Sequence, residues 1–173
     1  YKTNDTIDAE IRINDGRTIS TDQRRKAYAT INDISIYTGH HPEYLKEILK
    51  FNYCGESGED YFSLSNCSMS IAREFITYLI DFILKWDIPL SDKAITRTED
   101  IDTYLYSCIK HKKCCICGSP GETHHCTGSR IGMGNNRRKT SDIGRHLIQL
   151  CRKHHTEIHN KPERDFFIKY KAY

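Results

Sequence analysis

Two pairs of metal-ligand residues bracket residues 114–159: Cys114-x-x-Cys117 and Cys151-x-x-His154. Each spacing lets two side chains grip one tetrahedral ion at roughly 2.0–2.3 Å per ligand, and two such knuckles complete four ligands. These four residues are therefore the expected structural zinc site. The 33 residues between the knuckles form a loop that is entropically costly to close without a staple. Zinc can contribute apparent folding energy on the order of 10 kcal/mol. Eight cysteines in 173 residues, two of them at knuckle spacing, argue against ordinary buried thiols. Cys115 and Cys126 compete as ligands, but Cys115 makes only C-x-C with Cys117, so both are left out.

A histidine set lies among the knuckles. His124 and His125 are adjacent in GETHHC, which reads as a short strand after the Gly118–Gly121 turn. Successive strand residues point to opposite faces, so one of the two can hold a metal while the other sits beside it. His155 and His159 stand four apart and share one face of a helix expected to begin after His154. A neutral histidine near pH 7 can take a proton from water within hydrogen-bond reach. Between strand and second knuckle, Arg130, Arg137, Arg138, Lys139 and Arg145 lie in a glycine-rich loop. Such groups give sequence-independent phosphate affinity, so DNA contact is expected there, with a merely solvated charged loop as the alternative.

Charge divides the chain in the same sense. Residues 1–92 hold 10 Lys and Arg against 15 Asp and Glu, whereas residues 93–173 hold 16 against 8. The basic half carries the metal-ligand motif, as a polyanionic substrate requires. The chain starts at Tyr1, without an initiator methionine, and no secretory apolar segment follows. Its longest apolar run, Phe75–Leu84, is interrupted and far short of the roughly 20 residues of a membrane span. Knuckle cysteines without a signal peptide imply a reducing cytoplasm.

The elements that position these residues are mostly helical. Ala9–Asn14 alternates as a strand, and Asp15-Gly16 reads as a turn. Ser20-x-x-Gln23 is a capping box opening a helix over 21–38, with Ala27, Ile31 and Ile34 on one face and Gly39 as the stop. Pro42 suits the first turn of a second helix with Leu45, Ile48 and Leu49 inward. Residues 54–60 read as a loop, and Tyr61–Leu64 as a short strand. A helix over 69–86 carries Ile71, Phe75, Tyr78, Leu79, Phe82, Ile83 and Trp86 at 3.6-residue spacing, a core stripe or else a dimer interface. Residues 87–97 read as a linker and 99–112 as a fourth helix with Ile101, Leu105, Cys108 and Ile109 on one face. His40, His41 and His111 are expected as surface or cap residues, and Cys54, Cys67 and Cys108 as small buried apolar residues. Phe166, Phe167 and Tyr170 of the basic tail pack on the core or stack on DNA, with packing favoured.

The constellation over about 114–160 resembles the HNH endonucleases, or ββα-metal nucleases. The resemblance implies that His124, His155 and His159 hold a catalytic metal and that His125 is the general base. His146 stands where the family usually has asparagine, which makes it the candidate for orienting His125. The implied reaction is phosphodiester hydrolysis leaving 5′-phosphate and 3′-hydroxyl ends. Three imidazoles favour Zn2+, Ni2+, Co2+ or Mn2+ over Mg2+. The whole arrangement is similar to HNH nucleases encoded by phages of Gram-positive bacteria, whose N-terminal part is similar to Orf (NinB-like) recombination mediators.

The expected fold is α+β: a mostly helical Orf-like domain with short strands over 1–92, then a linker helix and a zinc-stapled ββα-metal module over 93–173. The implied partners are single-stranded or branched DNA, a single-strand-binding protein or recombinase, and a second copy in a homodimer. Arg24, Arg25 and Lys26 become the first candidates for single-strand contact under this resemblance. The competing readings are a non-catalytic single-stranded-DNA-binding mediator whose HNH unit keeps only its zinc fold, and a protein-binding adaptor using the acidic half.

Overall fold

The computed structural model describes residues 16–129 and 141–172. The elements run α1 (Thr21–Thr38), α2 (Pro42–Ser57), α3 (Met69–Trp86), α4 (Ala94–Arg97), α5 (Ile101–Lys110), β1 (Glu122–His125), β2 (Leu147–Leu150), α6 (Arg152–His159) and α7 (Glu163–Tyr170). This is an α+β fold whose one sheet, among the described residues, is the antiparallel β1–β2 pair. The strand expected over residues 9–14 lies outside the described residues.

The capping box forms as the sequence requires. Ser20 Oγ accepts from the Gln23 amide, and Gln23 Oε1 accepts from the Ser20 amide, both at 3.1 Å. Gly39, at φ +75°, closes α1. Pro42 opens α2, but the helix runs on to Ser57 and is stopped by Gly58 at φ +77°. The loop expected from Cys54 is thus mostly helix: one mid-helix glycine, Gly55, costs only about 1 kcal/mol relative to Ala. Tyr61–Leu64 form no strand. Phe62 and Leu64 are buried instead, and Phe62 meets Tyr53 and Phe75 edge-on at 5.8 and 5.3 Å.

α3 has the bounds its pattern predicts, but its buried face is rotated. Ala72, Phe75, Ile76, Leu79, Ile80, Ile83 and Leu84 are buried, Ile71, Tyr78 and Phe82 are half-buried, and Trp86 is 57% exposed. Apolar side chains nearly surround this helix, so periodicity alone leaves its orientation free. The packing of α1, α2 and α5 against it decides. Ile48 likewise turns outward while Leu45 and Leu49 go in. The fourth helix is shorter than expected, Ile101–Lys110, with Tyr104, Ser107 and Cys108 buried. His41 and His111 occupy cap positions of α2 and α5. Cys67 and Cys108 are buried, whereas Cys54 is only half-buried.

The segment read as a linker is anchored. It contains the turn α4, whose Arg97 is 3% exposed and pairs with Asp33 of α1 at 2.8 Å. The same Asp33 Oδ2 accepts from the Ser91 amide and hydroxyl, each at 3.1 Å. Lys26 pairs with Glu99 just before α5. The apolar core then runs without a break from Ile31, Phe75 and Leu79 through Tyr104 and Cys108 to Ile148, Leu150 and Phe166. α5 lies between α3 and β2, and so fixes the sheet against the helices.

Candidate functional site

The first knuckle is built by backbone bonds. The Cys114 amide donates to Ser119 O at 2.7 Å, and the Gly118 amide donates back to Cys114 O at 2.8 Å. Gly118 supplies the left-handed turn at φ +72°. From below, the Tyr104 hydroxyl donates to Cys115 O at 2.7 Å, and the Cys115 amide donates to Gln149 O of β2 at 2.9 Å. Gly121 is pressed on Leu150 so closely that a Cβ there would lie 2.9 Å from the Leu150 carbonyl carbon and oxygen.

The second knuckle begins on Cys151, which is the N-cap of α6, so the helix starts before His154 rather than after it. A helical turn brings Cys151 Sγ within 3.3 Å of His154 Nδ1, and Cys114 Sγ stands 3.4 Å from the same nitrogen. Cys117 Sγ is 3.7 Å from Cys151 Sγ. Tetrahedral zinc, with metal–sulfur and metal–nitrogen bonds near 2.3 and 2.0 Å, has S···S and S···N edges of about 3.8 and 3.5 Å. The donor set therefore fits zinc in type, number and separation, and Cys115 and Cys126 stay outside it. Burial pushes the Cys114 thiol up to about 11. At Cys117 burial acts the same way, but hydrogen bonds from Ser119, Cys114 and Cys151 together outweigh it and hold the thiol below its ordinary value. Burial also lowers the pKa of His154, which favours the neutral ligand form. The Tyr170 ring stands edge-on to His154 at 5.3 Å and backs this ligand from α7.

The second cluster joins β1 to α6. His124 of β1 is buried, whereas His125, one residue on, is half-buried. The His124 ring lies 5.0 Å from those of His155 and His159, and the latter two are 4.9 Å apart. One ligand atom from each of the three comes within 4.8 Å of the others. Three imidazoles at this separation can hold one divalent transition ion with coordination positions to spare. Burial holds the His124 pKa below its ordinary value, partly offset by Glu163, with the neighbouring His155 and His159 also lowering it. That shift favours the neutral form, the one able to bind a metal.

Three carboxylates that the sequence reading did not single out meet these histidines. Glu122 Oε1 is 2.6 Å from His155 Nδ1. Glu163 Oε1 is 3.4 Å from His124 Nε2, while its other oxygen accepts the Thr127 amide at 2.8 Å. Asp142 Oδ1 is 3.0 Å from His125 Nε2. Glu122 had a readable signal, since it stands two residues before His124 and shares its strand face. Asp142 and Glu163 come from other elements, and their spacing gives no signal.

His146 does not meet His125 by a ring hydrogen bond among the described residues. Its backbone accepts from the Cys126 amide at 3.0 Å and donates to Ser129 Oγ at 2.8 Å, and the residue is exposed. Arg145 is engaged at the base of the basic loop, donating to Ser129 O at 2.7 Å and Ser141 O at 2.9 Å. Arg130, Arg137, Arg138 and Lys139 lie outside the described residues. In the helical half, Arg24 donates to Leu64 O and Ser65 O at 2.9 and 2.7 Å, and Lys26 is paired with Asp22 and Glu99. Arg25 is exposed and meets Asp22 at 2.6 Å.

A strand pair and helix carrying three histidines round one point, stapled by a Cys3His knuckle set, is the arrangement that a family comparison can test. The family described as "Putative HNHc nuclease" matches residues 2–172. The chain belongs to this HNH nuclease family. The match takes in both metal-ligand clusters and the helical half alike, and HNH membership implies a metal-dependent nuclease with DNA as its substrate. No curated protein and no solved structure matches the chain. Among the described residues, no helix of this HNH protein is long and apolar enough to cross a membrane.

Proposed function

We propose that the chain is a metal-dependent DNA endonuclease of phage recombination, acting on single-stranded or branched DNA in the host cytoplasm. The observation that carries the nuclease reading is the convergence of His124, His155 and His159, with His125 next to them. His124, His155 and His159 hold the catalytic ion, and Cys114, Cys117, Cys151 and His154 hold structural zinc. A bound divalent ion supplies Lewis-acid stabilisation of the phosphate and of the leaving 3′ oxygen. His125 takes the proton from the attacking water, and Asp142 fixes its ring by accepting from Nε2. Asp142 takes the positioning role for which the sequence offered His146, a reading supported by its 3.0 Å contact with His125. Arg130, Arg137, Arg138, Lys139 and Arg145 belong to the loop that meets the phosphate backbone. Residues 93–173 carry this chemistry, and residues 1–92 carry self-association and any contact with a recombinase or single-strand-binding protein.

The test is incubation with single-stranded, duplex, flap and four-way-junction DNA across Mg2+, Mn2+, Ni2+, Co2+ and Zn2+. Cleavage is expected with at least one ion. His125→Ala should lower it roughly 100-fold or more while leaving metal content and DNA affinity intact, because a positioned base acts mainly in the transition state. Absence of cleavage with every ion and substrate overturns the enzyme reading and favours a DNA-binding mediator with a degenerate HNH unit.

A further inference from the structure

α2 is buried along one side only. Leu45, Leu49, Lys50 and Tyr53 turn inward, and the helix packs on α1 and α3. On the opposite side Tyr44, Ile48 and Phe51 are 59%, 39% and 69% exposed. Continued to Gly55, which is also exposed, their spacing is four, three and four residues. The four positions therefore share one stripe along the helix, with the spacing of a coiled-coil seam. No charged residue stands on that stripe. Glu43, Lys46, Glu47 and Lys50 lie off it and pair with one another. Apolar side chains exposed singly are ordinary, whereas three in register on one helix form a patch. Gly55 is an independent observation. Glycine inside a helix weakens it, yet the backbone here is ordinary right-handed helix and a Cβ would meet nothing within 4 Å. Neither the backbone nor packing within the chain calls for glycine at that position.

We propose that this stripe is the seam of a homodimer, in which α2 packs antiparallel on α2 of a second copy about a two-fold axis between Ile48 and Phe51. The spacing is symmetric about that axis, so Ile48 meets the partner's Phe51 and Tyr44 meets the partner's Gly55, each contact occurring twice. The Tyr44 ring thereby faces the one position of the stripe that has no side chain, and Gly55 supplies the room it needs. Parallel pairing would instead set tyrosine on tyrosine at one end and glycine on glycine at the other, a crowded layer and an empty one. An uncharged stripe offers nothing to the phosphates of DNA, and a copy of itself matches it in both shape and charge. At 1.5 Å per residue the 16 residues of α2 span about 24 Å, so the seam covers less than the roughly 800 Å2 per partner of a standard interface. The dimer is therefore weak and concentration-dependent. This seam rests on the reading that residues 1–92 carry self-association, and it gives that reading a surface.

The test is sedimentation velocity of the full-length zinc-loaded protein, free of DNA, over a wide range of concentration. A monomer–dimer equilibrium is expected, and high salt should not weaken it, because no ion pair crosses the seam. Ile48→Lys and Phe51→Glu should each weaken the dimer at least about 30-fold, the loss of a buried anchor residue. Both side chains are exposed in the single chain, so each variant should keep the wild-type Tm. An equimolar mixture of the two variants should recover a dimer. One layer then sets the new lysine against the new glutamate, while the other keeps Ile48 on the partner's Phe51. Gly55→Leu should weaken the dimer while raising the Tm, since the helix gains a better former and the seam loses its room. A wild type that stays monomeric at every concentration overturns both the seam and the self-association it rests on, and leaves the stripe to a different protein. A dimer that persists in both single variants overturns the seam alone. Variants that remain monomeric when mixed overturn the antiparallel pairing.

Discussion

Replacing Cys151 with serine should dissolve one half of the molecule and leave the other standing. Cys151 is both a member of the Cys3His cluster, 3.7 Å from Cys117 Sγ and 3.3 Å from His154 Nδ1, and the N-cap of α6. The β1–β2 pair that it closes has four residues per strand, too little for independent stability. Structural zinc in small fingers supplies about 10–16 kcal/mol, comparable to the whole stability of an ordinary domain at about 5–15 kcal/mol. Losing it should therefore unfold the finger outright. The α1–α3 core, built on Ala27, Ile31, Ile34, Leu49, Phe75, Ile76 and Leu79, contains none of the zinc ligands and should persist. Elemental analysis should find one tightly held zinc in the wild type and none in Cys151→Ser. Amide hydrogen exchange should show protection lost at Cys115, Gly121 and β2 but retained in α1 and α3. Zinc-free wild-type protein that keeps its β1–β2 protection would refute the reasoning.

Three further outcomes follow from other contacts. Gly121→Ala places a methyl against the Leu150 backbone, which cannot yield as a side chain can, so it should cost about 1–3 kcal/mol in denaturant melts. A cost under 0.5 kcal/mol would mean the two segments are not in contact. Glu163→Ala removes the carboxylate beside His124 and should weaken Mn2+ or Ni2+ binding at the histidine cluster about 10- to 100-fold by calorimetry, with structural zinc retained; unchanged affinity would deny Glu163 any part in the site. Glu157 is held down to about 2 by Lys169, Tyr170 and Lys161, and it ties α7 to α6. Its folded pKa lies below the unfolded value of 4.5, so its contribution is fully present above about pH 4.5 and is lost as the pH falls toward 2. Glu157→Gln should remove that part of the acid dependence, seen as a flatter stability profile between pH 5 and about 2.

The two side-chain clusters were legible because ligand chemistry restricts residue type and spacing together. Cys114-x-x-Cys117 and Cys151-x-x-His154 can each close on one ion by local geometry alone, and the structure brings the two pairs together. His155 and His159 follow from a single helical turn in the same way. α1 was legible to the residue, since Ser20, Gln23 and Gly39 each supply a local hydrogen bond or a left-handed turn. Orientation was not. The face of α3 depends on what α1, α2 and α5 present to it, and a helix apolar on nearly every side leaves that open. Trp86 therefore read as core while the fold leaves it outside.

The carboxylates expose a deeper limit. Asp142 reaches His125 across 17 residues, and Glu163 reaches His124 across 39. Neither distance along the chain implies proximity, because each depends on where the loop before β2 and the turn before α7 come to rest. The same holds for Arg97 and Asp33, a buried pair that converts an apparent linker into a fixed brace. Buried ions of this kind are strongly destabilising when one partner is lost. The helices before residue 93 are thus tied to the residues after it through Arg97–Asp33, Lys26–Glu99 and Lys110–Asp81. Any division of labour between residues 1–92 and 93–173 would therefore operate across a shared core, because α5 packs on both α3 and β2.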